Sequence, residues 1–274
     1  MSNVCILTDS TAQFTHPSFL GRERVHIIPF NIQAGSQQED NPLPRSASVN
    51  QRLIPPSPQE FVQFYARLGR EYDSILVLTL SSLFNHTMEH ALSASAQYSN
   101  HATVEVIDSQ TTTVGLGMLV QVAAGAAAAG ASLTEIERRL RVIIPHLYML
   151  FCIPELTHLA HSGYMGYAQA LVGEMMGMLP IFTSEEGRLV PLEKARTPRH
   201  LFEVFQDFVS EFESPVYIAL VRGMNHSTLR TPPLRQFVQE AFPGTPFSEH
   251  PLQPHLAALF GPQSIGLVVM ETLE

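Results

Sequence analysis

Through the first half of the chain, short apolar runs alternate with stretches whose apolar positions recur every three or four residues. Residues 4–7, 25–32, 74–80 and 104–107 have the length and composition of strands, and residues 59–69 and 87–97 between them carry helical spacing. This alternation predicts βαβ units around a mostly parallel sheet. The run Ile75-Leu76-Val77-Leu78 offers no polar face, so it is expected in a sheet covered on both sides. Open sheets of this kind hold ligands at the carboxyl ends of their strands. Residues 114–129, rich in Ala, Gly and Val, predict a buried helix whose small side chains permit close packing.

The pattern changes after a helix predicted over 133–145, which Ser132 and Glu135 open as a capping box. Strand-like runs at 147–153, 179–184, 188–194, 216–222 and 265–270 now accompany amphipathic stretches at 198–212 and 233–242. The turn Glu185-Glu186-Gly187 between two of these runs reads as a hairpin. The expected fold is α/β: residues 1–145 form an N-terminal domain with a mostly parallel open sheet and flanking helices. Residues 146–274 form a C-terminal α+β domain with a mostly antiparallel sheet, and a ligand cleft lies between the two. Residues 34–58 carry Pro42, Pro44, Pro55, Pro56 and Pro58, which exclude a helix or central strand over most of that length. Such a segment is either a functional lid or a surface loop.

Charge and composition narrow the function. A net charge of −9, a pI near 5.7 and scattered basic residues argue against nucleic acid. The start of the chain has no basic region before its first apolar run, which predicts a cytoplasmic protein. The apolar stretch at 114–129 is short for a bilayer, so no stable membrane insertion is expected. Cys5 and Cys152 both sit in apolar runs and suggest neither a disulfide nor zinc. His86 and His90 are one helical turn apart, but Glu89 precedes His90 directly and the spacing of a metal-binding helix is missing. Gly115 and Gly117 fall inside a helical pattern, not in a phosphate-binding turn. No metal or cofactor is expected.

Several segments, in order along nearly the whole chain, carry a resemblance. They are Ile6-Leu7-Thr8-Asp9-Ser10-Thr11-Ala12, Pro56-Ser57-Pro58-Gln59-Glu60-Phe61 and Leu78-Thr79-Leu80-Ser81-Ser82 with Thr87 and Ala91. Val106-Ile107-Asp108-Ser109 with Gly115-Leu116-Gly117, then Leu159 with Gly163, and Gly261-Pro262 with Gly266 complete the series. The set resembles the DegV family. That resemblance implies a two-domain, non-catalytic protein that holds a fatty acid or similar long apolar molecule, and in some members passes it to a fatty-acid kinase. It points to Ser10, Ser57, Ser82, Asn85, His86, Thr87, Gly163 and Tyr164 as ligand-binding candidates.

At the four positions where the resemblance places carboxylate-gripping side chains, this chain has Leu53, Asn85, Tyr164 and Leu259. Two hydroxyls, a guanidinium and an imidazole are thereby replaced, leaving Asn85 and Tyr164 as neutral donors. The expectation is a pocket without fixed positive charge, which would bind acid and alcohol about equally and gives no basis for handover to a kinase. Asn85 has two readings, as a head-group donor or as a helix cap. The strand-end hydroxyls of Ser10 and Ser82 can likewise cap helices or receive an anion. Met175, Met176 and Met178 read either as a lipid-facing wall or as core, and an apolar tunnel is expected beside residues 171–181. A different class of function, a hydrolase with Ser81 or Ser82 as nucleophile and His86 as base, lacks the Gly-x-Ser-x-Gly elbow.

Overall fold

The structure is a computed structural model that describes residues 3–34, 51–99, 101–223 and 231–271. The first half contains β1 (Val4–Asp9), β2 (Val25–Ile28), β3 (Asn31–Ala34), β4 (Gln51–Ile54), α1 (Pro58–Leu68), β5 (Ser74–Thr79), α2 (Thr87–Gln97), β6 (Thr103–Asp108), α3 (Thr113–Ala128) and α4 (Leu133–Ile143). The second contains β7 (Leu147–Cys152), α5 (Leu156–His161), α6 (Tyr167–Met175), β8 (Leu179–Glu185), β9 (Arg188–Ala195), α7 (Pro198–Ser210), β10 (Pro215–Arg222), α8 (Thr231–Ala241), β11 (Phe247–Pro251), α9 (Pro254–Phe260) and β12 (Ile265–Glu271).

Strands β2-β1-β5-β6 form an all-parallel sheet, and β11-β10-β12-β7-β8-β9 form a second sheet that is antiparallel except for the β10–β11 pair. The period of two along each strand explains how the layers stack. In the parallel sheet Cys5, Leu7, Ile75 and Val77 face α1 and α2, while Val4, Ile6, Leu76 and Leu78 face α3. In the second sheet Leu150, Cys152, Leu220 and Leu267 face α7 and α8, and Met149, Phe151, Val221 and Val268 turn back toward α3. Helix α3 therefore lies between the sheets, apolar all round as such a position requires. Gly117 lets it approach, since a Cβ there would sit 2.0 Å from the Gln13 carbonyl oxygen. Side chains of both sheets and of α3 join in one buried apolar cluster.

Two expectations change in detail. Residues 25–32 are not one strand: Pro29 has no N–H for a ladder, so β2 ends before it and β3 pairs instead with β4 in a separate two-stranded ribbon. That ribbon also gives the proline-rich segment an ordered strand at Gln51–Ile54, while the lid reading for residues 35–50 lies outside the described residues. The β8–β9 hairpin forms as expected, with Gly187 at φ 81 in its turn, a conformation open to glycine at little cost.

Candidate functional site at the strand ends

The parallel strands end in turns rich in hydroxyl and carboxyl groups, and these satisfy one another. Asp9 is fully buried; its Oδ1 accepts from the Thr11 N–H at 2.9 Å and the Thr11 hydroxyl at 2.6 Å, and its Oδ2 accepts from the Leu80 N–H at 2.7 Å. Burial pushes its pKa above the ordinary carboxyl value, and these hydrogen bonds work against that shift. Asp108, at the end of β6 two strands over, likewise gathers donors, accepting from the Ser82 hydroxyl at 2.5 Å and from the Ser82 and Gln110 N–H groups. Ser81 donates to the Gly187 carbonyl at 2.8 Å and so fastens the parallel sheet to the β8–β9 hairpin.

Beyond the end of β5 the arrangement differs. A cavity of about 300 Å³ is lined by Arg52, Leu53 and Ile54 of β4, by Phe84, Asn85 and His86 before α2, by His161 and Ser162 at the end of α5, and by Leu259 of α9. The Asn85 Oδ1 accepts from the Thr87 N–H at 3.0 Å and from its hydroxyl at 2.5 Å. Its Nδ2 is buried and has no hydrogen-bond partner among the described residues. The oxygen thus takes up the N–H of Thr87, the first residue of α2, and the nitrogen is left as a donor without a partner among the described residues on a residue that lines the cavity. His90 holds the wall in place by donating from Nδ1 to the Pro56 carbonyl at 2.7 Å.

Of the eight candidates, the structure brings Asn85 and His86 to the cavity, together with Leu53 and Leu259 from the aligned set. The others do not line it. Ser57 is the N-cap of α1 in a capping box with Glu60, and Ser82 is held by Asp108. Thr87 is buried beneath Asn85, and Ser10 accepts from the Phe30 N–H at 2.9 Å while facing His255 at 3.5 Å. Gly163 sits in the turn after α5 at φ 85, and the adjacent Tyr164 donates its hydroxyl to the Leu83 carbonyl. Burial pushes the Tyr164 phenol far up, so it stays a neutral donor. His86 is largely exposed and pairs with Glu89 at 2.8 Å. The Ser–His contact that a hydrolase needs is not formed, because each hydroxyl has another acceptor.

Arg52 is the residue that sequence reasoning missed. It lines the cavity, is exposed, and takes part in none of the ion pairs among the described residues. None of the four aligned positions carries a positive charge, and the ribbon brings one to this cavity from Arg52, next to Leu53. Met175 and Met176 depart from the core reading, while Met178 is half-buried. Met175 is 79% and Met176 58% exposed, and α6 packs inward through Ala170 and through Gly173 against Leu156. Residues 171–181 do not line this cavity.

Comparison with known proteins places this arrangement. The model of the DegV family of uncharacterised proteins matches residues 3–272. A DegV domain-containing protein of Staphylococcus aureus is 27% identical, over 99% of this chain and 100% of its own length. Among solved structures, a DegV family protein from Corynebacterium glutamicum superposes with a TM-score of 0.81 at 21% identity, over 100% of this chain and 99% of the other. A DegV family protein from Thermus thermophilus, described for its fatty-acid binding, gives 0.79 at 22% identity, over 98% and 100%. At those identities the superpositions establish a shared fold, and the family model, which spans almost every residue, establishes the kinship: the chain belongs to the DegV family.

Proposed function

We propose that this protein is a non-catalytic carrier that holds a fatty acid or a similar long apolar molecule, with its polar end in the 300 Å³ cavity and an anionic head group beside Arg52. One observation carries the reading: an exposed guanidinium and an Asn85 amide nitrogen without a partner among the described residues line a cavity whose walls combine Leu53, Ile54, Pro55, Phe84 and Leu259 with His86, His161 and Ser162. Few polar groups suffice for such a ligand, because each buried CH₂ contributes roughly 0.8 kcal/mol. The fatty-acid binding of the Thermus thermophilus relative supports the ligand class. Commitment of the Ser81 and Ser82 hydroxyls to Gly187 and Asp108 supports a holding role over acyl hydrolysis.

Division into two domains near residue 145 is supported by the two main sheets, which draw their strands from either side of that point. A cytoplasmic location fits two thiols that are both free and buried. No helix among the described residues is long and apolar enough to cross a membrane. Handover to a fatty-acid kinase is left out of the proposal, since Tyr164 and Leu259 stand where the resemblance expects a guanidinium and an imidazole.

Mass spectrometry of the organic extract of natively purified, then denatured protein tests the reading. A long-chain acid at near one equivalent per chain is expected. An extract without lipid, together with no saturable binding of added fatty acid, would overturn it.

A further inference from the structure

A second cleft, of about 470 Å³, opens where the connection from β1 to β2 meets the connection from β11 to α9. It shares no lining residue with the first cavity, so a ligand in this cleft is independent of the lipid reading. Although the chain has 25 acidic and 16 basic residues, no acidic side chain among the described residues lines this cleft. The cation on its lining is Arg22. The guanidinium lies over the rings of Phe14 at 5.2 Å and Phe19 at 5.9 Å, and Nη1 donates to the Val25 carbonyl at 3.2 Å. These contacts fix its position, and its remaining N–H groups carry no hydrogen bond or ion pair among the described residues.

Gln13 lines the same cleft as Arg22, and it is only 7% exposed. Its Nε2 donates to the Pro251 carbonyl at 2.9 Å, which sets the orientation of the amide, since the flipped form would oppose two oxygens. The Oε1 so oriented is buried and has no hydrogen-bond partner among the described residues. A buried acceptor in this state calls for a donor. His250, also on the lining, has its pKa lowered by burial and pairs through Nε2 with Ser248 at 2.7 Å, so it stays neutral and can bond a ligand without adding charge.

We propose that this cleft is a second binding site, for a small oxyanion that also carries hydroxyl groups: Arg22 takes the charged oxygens in its planar fork and Gln13 Oε1 accepts from a hydroxyl. Phe14 and the neighbouring apolar wall cover the carbon frame.

Calorimetric titration with ribose 5-phosphate, ribonate, ribose and inorganic phosphate tests this. One of the two hydroxylated anions should saturate a single site, at least about tenfold tighter than ribose or inorganic phosphate. Which of them does so tells a phosphate ester from a carboxylate. Arg22→Met should abolish that binding and leave fatty-acid affinity unchanged, which also certifies the fold. Gln253→Glu, which adds a negative charge to the rim, should weaken it at least about fivefold. Absence of saturable binding by both hydroxylated anions, affinity no better than that for inorganic phosphate, or binding that survives Arg22→Met would each overturn the proposal.

Discussion

At the end of β1 the Asp9 carboxylate accepts hydrogen bonds from three donors, whereas beyond the end of β5 Asn85 spends only its oxygen on Thr87 and leaves its amide nitrogen without a partner among the described residues. Both turns follow strands of one sheet, and both are candidates on sequence. A buried carboxylate is costly unless donors surround it, so it gathers the very N–H and O–H groups that an anionic ligand would need. A neutral amide carries an acceptor and a donor, and using one leaves the other available. The parallel strand ends of this protein are thus closed at Asp9 and Asp108 and open at Asn85.

The largest expected effect breaks the closed turn. Asp9→Ala strands the Leu80 and Thr11 N–H groups in the core, and urea denaturation should show a loss of about 3–5 kcal/mol in stability. Lipid affinity of the protein that remains folded should be close to the parent's. A large loss of affinity at unchanged stability would make Asp9 part of the site.

At the open turn, Asn85→Leu removes both functions of the amide. Stability should fall by about 1 kcal/mol with the lost cap, and affinity for a fatty acid by about 1–2 kcal/mol. Asn85→Asp sharpens the contrast, because it keeps the cap and favours the start of α2 while placing a carboxylate beside an anionic head group. Stability no more than about 1 kcal/mol from the parent's, with weakened fatty-acid binding, is the expected pair of results. Equal affinity of all three proteins in a binding titration would restrict Asn85 to capping.

A smaller effect concerns Ser10 and His255, which meet at 3.5 Å near the closed turn. Burial lowers the pKa of His255 below the ordinary value of 6.5. The unfolded chain therefore takes up a proton first as pH falls. This stabilising contribution is present above about pH 6.5 and is lost as pH drops toward the folded value. His26 and His250 are shifted in the same direction, also by burial. The urea midpoint should accordingly fall below pH 6.5 in the parent and fall less steeply in His255→Gln. Identical pH slopes would show that His255 does not contribute.

Much of this frame was legible in the sequence. The strands of both main sheets apart from β11, the buried α3 and the hairpin at Glu186-Gly187 follow from apolar periodicity and turn residues. Several short elements were not, among them α6 and β11. Helix α5 has six residues and α9 seven, too few to show a helical period, and Pro254 and the apolar run behind it resemble a strand start as much as a helix. The pairing of β3 with β4 spans a long proline-rich separation that local pattern cannot bridge. Arg52 was missed for a related reason. Strand alternation sets Arg52 and Leu53 on opposite faces, yet at this ribbon both line the same cavity.

The proposed head-group selection rests on Arg52 supplying the charge that the aligned positions lack, and the most direct test compares hexadecanoic acid with hexadecanol on the parent and on Arg52→Met. The parent should prefer the acid by at least about tenfold, which is about 1.4 kcal/mol. In Arg52→Met that preference should shrink to less than about threefold, through loss of acid binding with alcohol binding unchanged. Equal affinities in the parent, or a full acid preference that persists in Arg52→Met, would contradict that role.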